Sequence, residues 1–398
     1  MSAQRLRILF STFEPSGDAL AADAITVMLR RNPQLMIYAL GGAKMQSAGA
    51  ELIEHTTDRG SMFLETVAQV WSHRKRLQRL RAWLTRHRID ALVPLDSPAG
   101  NWSICKLVRR VQPEAKIVHL VAPQLWAWAP WRVRRLRRLT DHVLCILPFE
   151  PQWFAARGVR ATFVGHPVFD PSCRRSPESS DALPPGQPRL ALLPGSRKGE
   201  VTRNWPTMLK AFLQLRQAHP HLHGTVAALN DRIEQLLRQI SQKECGGADW
   251  PEHLTLLTAQ TDAVLDWCDL ALVASGTVTL ELARRAKPMV IMYNMPWLSI
   301  VAMGWMVRTR TFTLPNLVSQ SAGLGRAVPE LVPHFGQVKP VVRELQTLLN
   351  NEDVAQRQRS ALAEVAAQFD DERFTDAAPR QILAAIAVPS PLRGERAG

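Results

Sequence analysis

The residues best suited to chemistry lie in a short turn near the middle of the chain. The segment LALLPGSRKGEV (190–201) reads as a buried strand, a sharp break at Gly195 and a helix. Gly195 allows close approach of the backbone, so that amide N–H groups at the helix N-terminus can face an anion, and Arg197 adds a guanidinium there. We expect Ser196 to cap a helix that begins at Arg197, with Glu200 completing a capping box. The pattern suits a phosphate, although an ordinary turn with a solvated arginine would give it too.

A second turn of the same kind follows downstream. The segment DLALVASGTVTLELA (269–283) again reads as a strand, a small polar turn and a helix. Ser275, Gly276 and Thr277 offer amide and hydroxyl donors, and Glu281 is expected about two turns into the helix. Two anion-ready turns in one half of the chain indicate a nucleotide diphosphate that lies across strand ends.

Length and composition indicate a globular protein, and its positive net charge indicates a negatively charged binding partner. The chain has 398 residues, enough for two domains, with 46% hydrophobic and 21% charged residues. Its 49 Lys+Arg against 35 Asp+Glu give a formal net charge of +14, which favours a polyanion, an anionic membrane surface or phosphorylated substrates. The five cysteines show no metal-ligand spacing, and the first residues run directly into a strand. We therefore expect reduced thiols in a cytoplasmic protein without an export signal.

Strands and helices alternate along the chain, which predicts parallel, doubly wound sheets. The alternation stops once, in a stretch rich in Pro, Ser and charge, and then restarts. We predict an N-terminal α/β domain (1–170), a linker (171–188), a second α/β domain (189–340), and C-terminal helices with a frayed tail (341–398), with the deepest cleft between the two domains.

One apolar segment, 288–307, approaches the length of a membrane span. Pro288, Asn294 and Pro296 interrupt it, so a buried strand followed by an apolar helix is the better interpretation. That helix would lie in a membrane interface or in the core.

Nine short motifs follow one another in a fixed order. They are EPSGD (14–18), GGAKMQSAG (41–49), LDSP…N (95–101), APQLWAW (122–128), LPFEPQWF (147–154), GHP (165–167), LPGSRKGEV (193–201), VASGTVTLE (273–281) and LPNL (314–317). Their order and spacing resemble those of lipid-A-disaccharide synthases, from about residue 7 to about residue 333. The resemblance implies a GT-B fold, in which two Rossmann-like domains face a central cleft. The first domain would face the acceptor and the membrane, and the second would bind a UDP-sugar.

The resemblance also implies a reaction. The 2,3-diacylglucosamine unit of UDP-2,3-diacylglucosamine would pass to 2,3-diacylglucosamine 1-phosphate, giving the β(1→6)-linked disaccharide 1-phosphate and UDP. No metal or cofactor is implied, and the sequence contains no D-x-D triplet. Arg197 and the helix N-termini would then stabilise the departing UDP. Asp96 would be the general base for the acceptor 6-hydroxyl, although its pattern alone favours a simple helix cap.

The remaining site residues follow from the matched motifs. On the UDP side we expect Gly195, Ser196, Ser275, Gly276 and Thr277 at the phosphates and Glu281 at the ribose, the alternative for Glu281 being a surface glutamate. On the acceptor side we expect Glu14, Ser16, Gly17, Asp18, Asn101 and Asn316. Ser16 or Asp18 would also cap a helix that begins near Ala19, and either asparagine could be structural.

Two basic stretches, 73–88 and 131–139, carry flanking tryptophans. No nucleic-acid motif accompanies them, so an anionic membrane surface fits better than nucleic acid. We therefore expect a peripheral protein on the inner face of the cytoplasmic membrane. A homodimer is a further expectation from the resemblance.

Four positions depart from the family pattern, namely Phe13, Met62-Phe63, Ala99 and Asn294. They fall on the expected acceptor side, which leaves open the acyl-chain preference and the acceptor itself. The alternatives are another GT-B enzyme, such as a polyprenyl-linked sugar transferase or a UDP-sugar epimerase, and a non-catalytic paralogue that binds a UDP-sugar or lipid.

Overall fold

The chain folds into two compact units. A computed structural model describes residues 5–57, 67–95, 98–173, 183–247, 250–296, 309 and 311–387. One unit comprises Met1–Arg174 with Phe369–Gly398, and the other comprises Arg175–Gln368. The predicted C-terminal part, 341–398, is therefore divided between the two units.

The first unit is built on a seven-stranded parallel sheet with the order β3-β2-β1-β4-β5-β6-β7. Its strands are β1 (Arg7–Ser11), β2 (Met36–Gly41), β3 (Glu51–His55), β4 (Ala91–Pro94), β5 (Lys116–Leu120), β6 (His142–Cys145) and β7 (Ala161–Phe163). Its α-helices within residues 1–174 are α1 (Pro15–Arg31), α2 (Ala43–Ser47), α3 (Val67–Arg86), α4 (Pro98–Val111), α5 (Val133–Leu139) and α6 (Glu150–Ala155). The chain moves outward from β1 to β3 and returns to start β4 beside β1, so the direction of winding reverses between β1 and β4.

The second unit repeats this plan with a six-stranded parallel sheet in the order β10-β9-β8-β11-β12-β13. Its strands are β8 (Arg189–Leu193), β9 (His223–Ala228), β10 (Leu254–Thr258), β11 (Leu270–Ala274), β12 (Met289–Asn294) and β13 (Glu330–His334). Its helices are α7 (Lys198–Ala218), α8 (Asp231–Glu244), α9 (Thr261–Trp267), α10 (Val278–Arg284), α11 (Leu314–Ser321), α12 (Val338–Asn350) and α13 (Glu352–Ala367). Here the winding reverses between β8 and β11. The two sheets confirm the predicted α/β fold class.

Apolar strands covered by helices make the core of each unit. All residues of β11 are buried, which is the pattern of a strand covered on both faces. Trp205 and Phe212, from α7, are fully buried against the sheet of the second unit. Burial of a large aromatic side chain contributes about 2–3 kcal/mol.

The last helix, α14 (Phe374–Ala387), belongs to the first unit and buries Phe374 in its core. Asp170, which lies three residues after the GHP motif, holds this helix in place. A carboxylate oxygen of Asp170 accepts hydrogen bonds from the backbone N–H and the hydroxyl of Thr375, at 2.8 and 2.7 Å. A Cβ on Gly165 would lie 2.1 Å from the backbone oxygen of Glu372, so only glycine allows this approach.

Two predictions about local structure need correction or lie beyond the described residues. Helix α1 begins at Pro15 rather than near Ala19, because Glu14 is the N-cap and Pro occupies the first turn, where its missing N–H has no cost. The first part of 288–307 is the predicted strand, and residues 297–307 lie outside the described residues. Among the helices that are described, none is both long and apolar enough to cross a membrane.

Candidate functional site

The two predicted anion turns of the second unit lie side by side. The strands that lead into them, β8 and β11, are neighbours in the sheet, with Leu193 paired to Val273. They are also the two strands between which the winding reverses, and helices that leave such strands in opposite directions open a crevice at their carboxyl ends. The sheet therefore brings together the turns that the sequence singles out.

The first turn is shaped by Gly195 and Glu200. Gly195 has a φ of +112°, and a Cβ there would lie 2.8 Å from the Cβ of Glu200. Oε2 of Glu200 accepts the backbone N–H groups of Ser196 and Arg197, at 3.2 and 3.3 Å. The predicted capping box is thus confirmed for Glu200, but Arg197 is the N-cap and the helix begins at Lys198, so the expected Ser196 cap is wrong.

Arg197 stands at the mouth of this turn with its side chain 57% exposed. Its Nη1 lies 3.4 Å from Oε1 of Glu200, a long contact at a solvated surface that contributes little energy. Because Glu200 takes the N–H groups of Ser196 and Arg197, the guanidinium and the next amides of the helix are the groups that can meet an anion. Ser196 is exposed beside them.

A buried amide network fixes this turn, and no local sequence pattern indicates it. Nδ2 of Asn204, on α7, donates to the carbonyl oxygen of Pro194 at 3.1 Å, and its Oδ1 accepts the backbone N–H of Asn294 at 2.9 Å. Nδ2 of Asn294 donates in turn to the carbonyl oxygen of Arg203 and to Oγ1 of Thr207. Asn204 is fully buried. The network joins the end of β8, helix α7 and the end of β12, so Asn294, a departure from the family pattern, has a structural role.

The second turn is open. Nothing lies within 4 Å of a Cβ built on Gly276, and both Gly276 and Thr277 are exposed. Ser275 is half-buried at the end of β11. Thr277 is the N-cap of α10, which begins at Val278 and places Glu281 in its first turn rather than about two turns in.

Glu281 is held by a buried cation. Oε2 of Glu281 accepts from Nη1 of Arg285 at 2.9 Å, and the same guanidinium pairs with Asp262 and Asp266. Only 9% of the Arg285 side chain is exposed. Burial would lower the pKa of Arg285, but the hydrogen bond from its guanidinium to Asp266 and the surrounding carboxylates raise it, so the cation stays charged. Sequence reasoning missed Arg285, whose i+4 spacing from Glu281 was the available signal.

In the first unit, a buried asparagine bridges the strands β1 and β4 at the point of reversal. Oγ of Ser11 donates to Oδ1 of Asn101 at 2.7 Å, and Nδ2 of Asn101 donates to the carbonyl oxygen of Leu95. Asn101 has no exposed surface. It therefore holds the residue that precedes Asp96 in the sequence, while Asp96 itself and Met62-Phe63 lie outside the described residues.

Asp18 is buried and caps a helix other than its own. Its carboxylate accepts the backbone N–H groups of Gly42, Lys44 and Met45, at 2.8, 3.1 and 3.3 Å. The cap that the sequence predicted for α1 is therefore made to α2, where a carboxylate also meets the positive end of the helix dipole. Gly42, the second of two adjacent glycines, allows this contact, since a Cβ on Gly42 would lie 2.6 Å from Oδ2 of Asp18.

The other residues of the first loop range from buried to exposed. A Cβ on Gly17 would lie 2.2 Å from Oγ1 of Thr12, so this close approach requires glycine. Ser16 is exposed, and Glu14 is the half-buried N-cap of α1. Phe13 packs where a Cβ on Gly100 would lie 2.6 Å from its ring, and Ala99 follows the start of α4.

Asn316 has every hydrogen-bonding position of its amide engaged. Oδ1 accepts the N–H groups of Ala327 and Val328, and Nδ2 donates to the carbonyl oxygen of Val328 and to Glu330. An amide has two donors and two lone pairs, so none is left for a ligand. In the second unit, Asn316 therefore ties α11 to the segment that enters β13.

Comparison with known proteins gives one family. A model described as lipid-A-disaccharide synthetase matches residues 8–385. The chain is 31% identical over 369 residues to the lipid-A-disaccharide synthase of Anaeromyxobacter dehalogenans, covering 92% of this chain and 94% of the relative. It is 32% identical over 378 residues to that of Burkholderia mallei, with 90% of each chain covered.

Solved structures agree on the fold. The UDP-GlcNAc 2-epimerase of Neisseria meningitidis bound to UDP-GlcNAc superposes with a TM-score of 0.60 and 10% identity, covering 96% of this chain and 99% of that one. The sucrose-phosphate synthase of Thermosynechococcus elongatus gives 0.58 and 12%, covering 96% and 100%. At such identities the likeness shows the two-domain α/β fold alone, and the epimerase alternative gains no support from it. From the family match and its relatives, the chain belongs to the lipid-A-disaccharide synthetase family of glycosyltransferases.

Proposed function

We propose that this chain transfers 2,3-diacylglucosamine from UDP-2,3-diacylglucosamine to the 6-hydroxyl of 2,3-diacylglucosamine 1-phosphate. The observation that carries the proposal is the pair of turns at the ends of β8 and β11, with Arg197 beside them at the reversal of the sheet. In open α/β sheets, a phosphate-bearing ligand binds at this position. The products would be the β(1→6)-linked disaccharide 1-phosphate and UDP.

Arg197 and the second turn would hold the UDP. The guanidinium of Arg197 forms charge-assisted hydrogen bonds to the diphosphate, and the exposed Gly276 and Thr277 present backbone and hydroxyl donors. Ser275 and Ser196 flank the same crevice, and Gly195 keeps the first turn close to it. Glu281, oriented by Arg285, would accept hydrogen bonds from the ribose hydroxyls through the oxygen that Arg285 does not use.

The chemical step would be a single inverting displacement. Asp96 takes the proton of the acceptor 6-hydroxyl as that oxygen attacks the anomeric carbon from the face opposite UDP. The bond between the anomeric carbon and the diphosphate oxygen breaks, and UDP leaves with the electron pair. Arg197 stabilises the charge that develops on the leaving group. No step in this sequence calls on a cofactor.

The residues of the first unit would shape the acceptor side. Glu14, Ser16 and Gly17 form the first turn of α1, whose N-terminus can meet polar groups of the acceptor. Asp18 and Asn101 would act through the backbone that they hold, because both side chains are buried and bonded. For Asn316, whose amide is fully engaged, we propose the same supporting role in the second unit.

A membrane surface is the proposed location, on the cytoplasmic face. Trp128 and Trp131 are 41% and 49% exposed, next to α5, which carries four exposed arginines. Tryptophan rings favour the interface of a bilayer, and each basic residue adds about 1 kcal/mol of attraction to anionic lipids. A homodimer belongs to the same proposal, and sedimentation velocity tests it.

The reaction is tested by offering the purified protein UDP-2,3-diacylglucosamine with and without the acceptor. We expect UDP release that depends on the acceptor, together with a disaccharide 1-phosphate identified by mass spectrometry. UDP release with a free sugar product, or epimerised donor, would overturn the proposed reaction. Binding of both sugars without turnover would support the non-catalytic alternative instead.

A further inference from the structure

A pocket of about 370 Å³ lies in the first unit and is lined by residues other than those assigned above. Its walls come from the end of β3 and the next residue (54–56) and from α3, which contributes Lys75, Arg76 and Arg79. The three cationic residues share one helix face, because Lys75 and Arg76 precede Arg79 by four and three positions. The volume is within the range of small-molecule sites, about 300–1,000 Å³.

The pocket has an excess of positive charge that the fold holds in place. Oε1 of Glu54 accepts from Nε of Arg76 at 3.0 Å and from Nη2 of Arg79 at 2.7 Å. Burial acts to raise the pKa of Glu54, but the hydrogen bonds from Arg79 and Arg76 lower it overall, so this carboxylate stays ionised and keeps both guanidinium groups together. Lys75 has no ion pair with any residue in the described ranges. Three cations against one carboxylate leave two positive charges in excess.

The ring of Phe13 packs against one of these cations. The guanidinium carbon of Arg76 lies 5.4 Å from the centroid of the Phe13 ring, which is a cation–π distance. The ring centroids of Phe13 and His73 are 6.4 Å apart. Burial, followed by the charge of Arg76, lowers the pKa of His73, which keeps this imidazole neutral at pH 7. Arg76 is therefore prepositioned, with only 19% of its side chain exposed, and the unusual Phe13 supports it.

The pocket also lies at the edge of the sheet that is formed by the carboxyl ends of the strands. It follows the carboxyl end of β3, and the loops after β2, β1 and β4 begin at the same edge, because these strands are parallel. In the order β3-β2-β1-β4, three strand spacings of about 4.8 Å separate β3 from β4, which makes about 14 Å. A hexose 1-phosphate that is held at its 6-hydroxyl beyond the end of β4, and at its phosphate by long basic side chains, would span a distance of that order.

We propose that this pocket binds a phosphate monoester and receives the 1-phosphate of the acceptor, an assignment that rests on the proposed function. A phosphate monoester carries a charge of about −1.5 to −2 at pH 7, which matches the excess charge of the pocket. Lys75 and the free edges of the two guanidinium groups supply the donors. The site thus selects an acceptor that is phosphorylated at its anomeric position and sets its orientation, with the 6-hydroxyl directed away from the pocket.

The test compares two acceptors in detergent, 2,3-diacylglucosamine 1-phosphate and its dephosphorylated form. The variant is Lys75→Ala/Arg79→Ala, and the matched control is Arg81→Ala, an exposed arginine of the same helix outside the pocket. We expect kcat/KM for the phosphorylated acceptor to fall about tenfold or more in the double variant, mainly through KM, with the control unchanged. For the dephosphorylated acceptor, the wild type and the double variant should have equal kcat/KM.

Each other outcome overturns the assignment. An equal loss on both acceptors would make the pocket a structural element, and no loss on either would exclude it from acceptor binding. Vesicles of phosphatidylglycerol distinguish the second source of the same chemistry. If the double variant loses vesicle binding while it still discriminates between the acceptors, the pocket binds a bilayer phosphate and not the substrate. If the wild type transfers to neither acceptor, the proposed function itself has failed, which is distinct from a failure of the pocket alone.

Discussion

Truncation of Asn204 to alanine tests the network that fixes the first turn. The change removes the donor to the carbonyl oxygen of Pro194 and the acceptor of the Asn294 N–H. Asn204 is fully buried, and both partners are buried too, so water cannot replace the lost bonds. Each buried polar group left without a partner costs about 1–3 kcal/mol. Two such groups give an expected loss of about 4 kcal/mol in the free energy of unfolding.

The assay is urea-induced unfolding of the full chain, followed by circular dichroism and tryptophan fluorescence. Thr202→Ala is the control, because Thr202 is exposed on the same helix and its hydroxyl donates to the carbonyl oxygen of Lys198 one turn earlier. We expect this control to change the stability by less than about 0.5 kcal/mol. In the folded Asn204→Ala protein, misplacement of the turn should also lower turnover by about tenfold or more. A stability within about 1 kcal/mol of the control would refute the network, since it is below the cost of even one orphaned group.

Four further predictions concern other residues of the structure. Asp18→Ala leaves the N–H groups of Gly42, Lys44 and Met45 without their acceptor, so we expect a loss of about 2–4 kcal/mol in urea unfolding; an unchanged midpoint would show that the cap is not made. Arg197→Ala should lower kcat/KM by about 100-fold or more, and Arg197→Lys should restore only part of it, because an ammonium cannot make the bidentate contact; full activity of the alanine variant would exclude the phosphate contact. Burial raises the pKa of Glu150 to about 7 from its ordinary value of 4.5. Between these two pH values the folded state therefore binds one proton that the unfolded state has lost. The stability that this group contributes is complete below pH 4.5 and is lost as the pH rises through 7. Glu150→Gln removes this loss, and the stability of the wild type relative to the variant should fall by about 3 kcal/mol between pH 4.5 and pH 8; a difference that is constant with pH would contradict the raised pKa. Finally, Trp128→Ala/Trp131→Ala should weaken binding to phosphatidylglycerol vesicles in a sedimentation assay, whereas equal binding of wild type and variant would place the membrane contact elsewhere.

Local patterns were enough to predict the fold class and the position of the two turns. Apolar runs bounded by Gly, Pro and Ser mark the strands β8 and β11, and the capping signal of Glu200 depends on residues only three and four positions away. The pairing of β8 with β11 follows from the rules for doubly wound sheets once the alternation is recognised.

Roles that depend on distant partners could not be predicted in this way. Asp18 meets α2 across 24 residues of sequence, and Asn204 meets Asn294 across 90, so neither contact leaves a local pattern. The same holds for α14, whose apolar residues predict a buried face but not the unit that covers it. That choice depends on Asp170, which binds Thr375 across 205 residues.

In the proposed mechanism, Asp96 moves the proton while Arg197 and its neighbours hold the UDP. The most direct test measures turnover and UDP affinity together in an Asp96→Asn variant, with the wild type in parallel. We expect turnover to fall about 100-fold or more and the Kd for UDP to stay within about twofold, since a general base contributes to the transition state and not to nucleotide binding. Turnover that survives the substitution, or UDP affinity that disappears with it, would contradict these roles of Asp96 and Arg197.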